Sequence, residues 1–294
     1  MDLPGEAAPE AFEHGSVFFV GTATTVIRYG GFTLLTDPNF LHAGDHVHLG
    51  YGLESERLTN PAIDIEALPP LDACVLSHLH GDHWDEVAEA KLRRDLPIVT
   101  TTHAAAELRR RGFGRTHGLG TWDAALLRKR GAVLRITSLP ARHGPPVVHR
   151  ALPPTMGSML EWSAGERPRP RFRMWISGDT LVHRALAEIP QRWPHIPLAL
   201  IHLGGTRVLG VLLTMDAQQG VRALRIVAPE RAIPIHYDDY TVFRSSLEDF
   251  LAEASSAALS TAIHVLERGE TFEFDVEADE PARGRRAQEL RAPG

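Results

Sequence analysis

At 294 residues, 43% hydrophobic and 23% charged, the chain has the balance of a globular protein, with enough apolar material for a large core that needs no disulfide. A net charge of -6 and a pI near 6.2 argue against a dedicated nucleic-acid binder, and the single cysteine, Cys74, excludes an intramolecular disulfide. The opening MDLPGEAAPEAFEHG has no basic start and no apolar stretch, and no apolar run approaches the roughly 18 residues of a membrane span, so a cytoplasmic protein without stable membrane association is expected.

Residues 1–13, rich in Pro, Ala and Glu, read as a loose end. Ser16–Val20, Thr25–Tyr29 and Phe32–Thr36 are short β-type runs, with a turn at Gly30-Gly31, and Asp37-Pro38 stops the third. Residues 39–70 hold Gly, His, Asn and Pro without a sustained period and read as a long loop. Asp72–Ser77 predicts a buried strand, Trp84–Leu96 a helix, Pro97–Thr101 a strand, and Ala104–Arg111 a helix ended by Gly112. Further strands are predicted at Ala132–Ser138, Met156–Trp162, Phe172–Ser177, Leu198–Leu203, Ala232–Ile235, Ile263–Glu267 and Thr271–Val276. Helices are predicted at Met215–Val227, with Asp216 at its first turn, and at Leu247–Ala258. Residues 279–294 read as a disordered tail. There is no internal repeat and no clear linker, so residues 1–294 are read as one domain, with sheets packed face to face and helices outside.

The chain holds 16 histidines against 5 Met and 4 Tyr, and three of them crowd into HLHGDH, residues 78–83. In an extended segment residues i and i+2 point the same way, so His78 and His80 can reach one ion while Leu79 faces the core. A sharp turn at Gly81 would send Asp82 and His83 to a second position beside the first. Imidazole and carboxylate suit Zn²⁺ and other first-row ions. Three more candidates follow apolar β-type runs: His143, Asp179 and His236. A lone His or Asp at a strand end is usually a turn or a cap. Together with the first cluster, these supply enough ligands for two ions.

The ordered set HxHxDH, then His143, Asp179 and His236, resembles the metallo-β-lactamase superfamily over about residues 16–275. Val20-Gly21-Thr22-Ala23-Thr24-Thr25 and Thr36-Asp37-Pro38 resemble the branch that contains L-ascorbate-6-phosphate lactonase and N-acyl-phosphatidylethanolamine phospholipase D. The resemblance implies an α+β fold, an αββα four-layer sandwich with the site at one edge of two packed sheets. It also implies one metal on His78, His80 and His143, a second on Asp82, His83 and His236, and Asp179 bridging the two.

Two divalent cations, Zn²⁺ first with Mn²⁺ or Fe²⁺ as alternatives, would sit about 3.5–4 Å apart and hold a bridging hydroxide. The reaction expected is hydrolysis of a small ester, lactone or phosphodiester, possessed of an anionic group or not. Asp82 would orient or deprotonate the water, and His202 and Tyr237 are candidate proton donors to the leaving group. Asp37 and Thr180 are candidates to orient the ligand histidines. In the loop after residue 39, His42, Asp45, His46 and His48 are weighed as an extra metal site, substrate contacts or ordinary loop. Tyr51, Arg57 and Asn60 are candidate substrate contacts there, and Arg207 a candidate anion partner. The alternatives are a nuclease of the same superfamily, disfavoured by the acidic charge, and a di-iron redox protein, disfavoured because His80 stands where such relatives tend to carry a carboxylate.

Overall fold

In the computed structural model, residues 1–3, 12–50, 53–146, 152–165 and 169–276 are described. Most strands fall into two seven-stranded sheets. The first has the order β18 (Thr271–Asp275), β1 (His14–Gly21), β2 (Thr24–Tyr29), β3 (Phe32–Thr36), β6 (Ala73–Val75), β7 (Ile98–Thr101), β8 (Thr116–Leu119). The second has the order β17 (Ala262–Ile263), β16 (Arg231–Ile235), β13 (Leu198–His202), β12 (Phe172–Ile176), β11 (Met156–Ala164), β10 (Ala132–Pro140), β9 (Ala124–Lys129). Two small hairpins stand outside them: β4 (His46–Gly50) with β5 (Leu53–Glu56), and β14 (Arg207–Val208) with β15 (Val211–Leu212).

Period-two alternation sets the layers. In the first sheet Val17, Ile27, Leu34, Val75 and Val99 face the second sheet and meet Leu134, Leu160, Met174, Leu200 and Ile233 in one buried cluster. Their neighbours Val20, Val26, Leu35, Cys74 and Ile98 face outward and pack against Ala88 of α1 (Glu86–Lys91) and Leu108 of α2 (Thr102–Arg110). The outward residues of the second sheet, Met159, Trp175, Ala199 and Ile201, are covered by Ile189 of α3 (Glu188–Arg192), Val221 and Leu224 of α4 (Ala217–Val227) and Phe250 of α5 (Leu247–Ser256). Each such Leu- or Phe-sized side chain contributes about 1.5–3 kcal/mol on burial. The order helices, sheet, sheet, helices is the expected αββα sandwich. No helix among the described residues is long and apolar enough to cross a membrane.

The strand directions place the site. β3, β6 and β7 run parallel in one sheet, as do β12, β13 and β16 in the other. Their carboxyl ends therefore meet at one edge of the sandwich, where open α/β sheets commonly bind ligands. The Met156 N–H donates to the Ser77 carbonyl (3.1 Å) and the His236 N–H to the Thr22 carbonyl (2.8 Å), each bond joining the two sheets at that edge.

Several elements differ from expectation. Residues 39–70 carry the β4–β5 hairpin and a 3₁₀ turn at Ile65–Ala67 rather than an unbroken loop. The helix expected over Trp84–Leu96 is only Glu86–Lys91; Asp85 caps it by accepting from the Ala88 N–H, and it ends before the Arg93–Asp95 stretch that precedes Pro97. β8 and β9 were not expected: His117 and Gly118 in one, and Arg128 and Lys129 in the other, interrupt the apolar pattern. The strand expected over Ile263–Glu267 is reduced to Ala262–Ile263. Residues 1–3 are not loose, since Leu3 N–H donates to Arg128 O (2.8 Å) and Arg128 N–H to Met1 O (2.7 Å). The tail 279–294 lies outside the described residues.

Candidate metal centre

Beyond β6 the rings of His78 and His80 lie together, their centroids 4.5 Å apart, while Leu79 packs on the helix-side apolar cluster. A tight turn follows, in which the His83 and Trp84 N–H groups both donate to the His80 carbonyl (3.0 and 2.9 Å) and Asp82 and His83 swing back over the same edge. Gly81 eases close packing there and does not serve a left-handed backbone. A Cβ at that position would lie 3.0 Å from Val47 Cβ and 3.1 Å from the His48 carbonyl. At Gly178 both demands apply: φ is +58°, and a Cβ would lie 2.4 Å from the Met156 carbonyl.

All seven expected ligands converge, and all are buried. His78, His80 and His143 form one group, and Asp82, His83 and His236 another. His78 Nε2 lies 2.9 Å from His80 Nδ1, and His236 Nε2 lies 3.3 Å from Asp82 Oδ2. Asp179 faces both groups: its Oδ2 is 3.8 Å from His143 Nδ1, 4.0 Å from His78 Nε2 and 3.4 Å from His83 Nε2, while its Oδ1 is 3.7 Å from His236 Nδ1.

Three of the histidines have one ring nitrogen held by the protein. His78 Nδ1 meets Ser77 Oγ (2.9 Å), His83 Nδ1 meets Asp37 Oδ2 (3.2 Å), and His236 Nδ1 meets the Leu203 carbonyl (3.3 Å). The opposite nitrogen of each is thereby aimed at the cluster, the arrangement a ligating imidazole needs. His80 Nε2, Asp82 Oδ1, His83 Nε2, His143 Nδ1 and Asp179 Oδ1 are buried with no hydrogen-bond partner. An unsatisfied buried polar atom costs about 1–3 kcal/mol. Five in one place fit a donor set built for divalent cations, which would engage these carboxylates and imidazoles together.

Burial penalises the imidazolium of His78, His80 and His143 and lowers all three, His143 to about 4, so their lone pairs stay available to a cation. Burial opposes charge on His83 and His236 as well, but the carboxylates outweigh it: chiefly Asp179 and Asp82 raise His236, with Asp37 adding to them at His83. Asp82 is lowered to about 2 and Asp179 well below the usual range, because His83 and His236 outweigh the burial penalty. Both carboxylates are ionised at neutral pH.

The remaining candidates separate. Asp37 is behind the cluster, its Oδ1 accepting from the Ser77 N–H (2.6 Å) and its Oδ2 facing His83 and His202. Thr180 does not touch a ligand ring. Its Oγ1 accepts from the Arg142 N–H (2.9 Å) and so ties down the segment that carries His143. His202 has Nε2 at Asp37 Oδ2 (3.4 Å) and Nδ1 at Ser177 Oγ (3.2 Å), with its ring stacked behind His83. Tyr237 packs in the helix-side apolar cluster, and the charges acting on its phenol belong to Asp238, Arg268, Asp239 and Glu248 rather than to the ligand group.

His42 pairs with Asp64 (3.0 Å) and His48 with Glu54 (3.1 Å), both exposed, and no ligand cluster forms between them among the described residues. Asn60 Oδ1 accepts from the Ala43 N–H, Arg207 meets Asp216 (3.3 Å), and Tyr51 lies outside the described residues. Arg57 is fully buried, so it is not a substrate contact. Ser77, Ser177, Asn39 and Asp239 carry much of the support and were not anticipated. Ser77 and Ser177 each directly precede a ligand-bearing turn, which is a usable signal; Asn39 and Asp239 have none.

A family model described as "Beta-lactamase superfamily domain" matches residues 33–237, more than half of the chain. A UPF0173 metal-dependent hydrolase of Cupriavidus metallidurans is 28% identical, covering 92% of this chain and 88% of its own. Another, from Aeropyrum pernix, is 24% identical, covering 87% and 96%. Among solved structures, isothiocyanate hydrolase from Delia radicum gut bacteria superposes with a TM-score of 0.72 at 20% identity, over 89% of this chain and 100% of that one. A metallo hydrolase from Ignicoccus hospitalis superposes with a TM-score of 0.66 at 20% identity, over 90% and 100%. With the matched fold and the buried His/Asp cluster, these likenesses identify the chain as a member of the metallo-β-lactamase superfamily and a metal-dependent hydrolase.

Proposed function

We propose that the chain is a dinuclear hydrolase of a small ester, lactone or phosphodiester. The observation that carries this reading is the position of Asp179, whose Oδ2 lies 4.0 Å from His78 Nε2 and 3.8 Å from His143 Nδ1 in one group and 3.4 Å from His83 Nε2 in the other. His78, His80 and His143 would hold one ion and Asp82, His83 and His236 the other, with Zn²⁺ preferred on ligand type and Mn²⁺ or Fe²⁺ as alternatives. When bound, the ions supply Lewis-acid polarisation of the electrophile and a water of lowered pKa.

The chain's own residues do the rest. Asp82, ionised and with Oδ1 free of protein partners, is placed to orient the attacking water and take its proton. Asp37 holds His83 in one tautomer and orientation, and His202 braces Asp37 from the far side. His202 and Tyr237 are not assigned the proton transfer to the leaving group in this reading, because one is engaged behind the ligands and the other packs among apolar side chains. The acidic charge favours a small substrate over nucleic acid.

The test is a panel of model esters, lactones and phosphodiesters, the sugar-phosphate lactone and phospholipid classes suggested by the sequence resemblance, and an isothiocyanate suggested by the Delia radicum neighbour. Turnover of one of the first three classes that rises with metal loading and disappears in Asp179→Ala supports the reading. Turnover of the isothiocyanate alone would contradict the substrate class.

A further inference from the structure

Arg57 is a fully buried charged side chain outside the ligand cluster, and its contacts lead back to that cluster. We infer that Arg57 is a positioning residue for the second ligand group, Asp82, His83 and His236, acting through two routes, one opened by a hydrogen bond to Asn39 and one by an ion pair with Asp239. The inference rests on the dinuclear reading above.

The first route runs through Asn39. Arg57 Nη1 donates to Asn39 Oδ1, which also accepts from the Tyr240 hydroxyl (3.0 Å). Asn39 Nδ2 then donates to the Gly81 carbonyl (2.9 Å), fixing the peptide that leads into Asp82 and His83. The second route runs through Asp239. Arg57 Nη2 faces Asp239 Oδ1 at 3.4 Å, and both side chains are 0% exposed. Asp239 Oδ2 accepts from the Thr22 N–H (2.8 Å), and the Thr22 carbonyl accepts from the His236 N–H (2.8 Å). His236 has φ of +63°, a backbone state that a non-glycine residue keeps only when its surroundings hold it there.

The guanidinium is fixed in turn. Its Nε donates to the Thr59 carbonyl (2.9 Å), and the Thr59 hydroxyl donates to Asp239 Oδ1 (2.5 Å). A Cβ on Gly21 would lie 3.2 Å from Arg57 Nη2 and 3.4 Å from Asp239 Oδ1, so that glycine leaves room for the pair. A planar fork is needed, because one side chain must address Asn39, Thr59 and Asp239 in different directions; a lysine ammonium on a flexible stem keeps the charge and loses that geometry. The first ligand group takes its support elsewhere: His78 from Ser77, and the His143 segment from Thr180 and from the bond between Gly144 N–H and the Leu213 carbonyl.

The test is titration of the metal-free protein with Zn²⁺ against a competing chelator, comparing wild type with Arg57→Lys and Thr59→Val. The expected result is a first ion bound as in wild type, and a second weakened about 10–100-fold in Arg57→Lys and by a smaller factor in Thr59→Val. The visible spectrum of the Co²⁺-loaded protein should lose the contribution of one site only. A merely structural role would weaken both ions alike and lower the melting temperature, and that result overturns the inference, as does an unchanged second affinity. Should Arg57→Lys fail to fold, Thr59→Val decides by the same ratio of the two affinities. A wild-type protein that takes up a single ion overturns the dinuclear reading and the inference with it, which separates that failure from the others.

Discussion

Asp37 Oδ2 lies 3.2 Å from His83 Nδ1, on the edge of the ring turned away from the ligand cluster. Asp37 is buried; burial raises its carboxyl, but His83 and His202 outweigh that and keep it ionised. A carboxylate in this place fixes the tautomer of a ligand histidine and makes it more basic. Asp37 also has φ of +32°, which Asn tolerates better than most residues. Asp37→Asn is therefore expected to keep the fold by circular dichroism and to weaken binding at the His83 position about 10–100-fold, as read by chelator competition. Unchanged affinity would remove Asp37 from the account.

Asp179→Ala removes a carboxylate that faces both groups. Metal content and hydrolytic turnover are expected to fall together. Full occupancy with unchanged turnover would refute the bridging role. Asp179→Asn separates charge from shape and is expected to retain more metal than the alanine variant.

Gly178 turns the chain from β12 into Asp179 with no space for a side chain. Gly178→Ala would have to move the Met156 carbonyl and abandon a favourable left-handed turn, at a cost of about 1–3 kcal/mol. A lower melting temperature and a lower metal content in the same variant are expected. A variant as stable and as metal-loaded as wild type would show that this edge of the sandwich yields more easily than its packing implies.

The phenol of Tyr237 is pushed up to about 12, first by burial and then by Asp238. In the unfolded chain it would ionise near 10. Between these values the folded state holds the proton more often than the unfolded state, so stability falls as pH rises from 10 toward 12. Below pH 10 the group contributes no pH dependence. Tyr29 and Tyr240 are raised in the same direction by burial. Tyr237→Phe is expected to make denaturant-unfolding midpoints less steeply dependent on pH in this window while leaving them nearly unchanged at pH 8. An equally steep dependence in the variant would show that Tyr237 ionises freely in the folded protein.

The candidate ligands were legible because each follows an apolar β-type run, but a His or Asp at a strand end is a weak signal singly, and their grouping about two ions came from the family resemblance. His78, His80 and the turn at Gly81 are local, so their geometry follows from spacing alone. The layers were legible for a similar reason: both faces of the central strands are buried, and the runs are correspondingly apolar. The support behind the ligands was not legible. Asn39 reaches Gly81 across 42 positions and Asp239 reaches Thr22 across 217, and no local pattern marks a pair so distant. Arg57 looked like a loop arginine for the same reason: burial in a Gly- and His-rich segment depends on the β4–β5 hairpin folding over Tyr240, which composition does not reveal. Asp37 fell between these cases, since an Asp-Pro after a strand is an ordinary stop and its service to His83 depends on β6 lying beside β3.

The number of ions bound per chain is the most direct test. Metal-free protein reconstituted with Zn²⁺, freed of excess and measured by elemental analysis, is expected to hold two ions per chain. A stoichiometry of one, or of none, would contradict the paired centre on which the proposed hydrolysis depends.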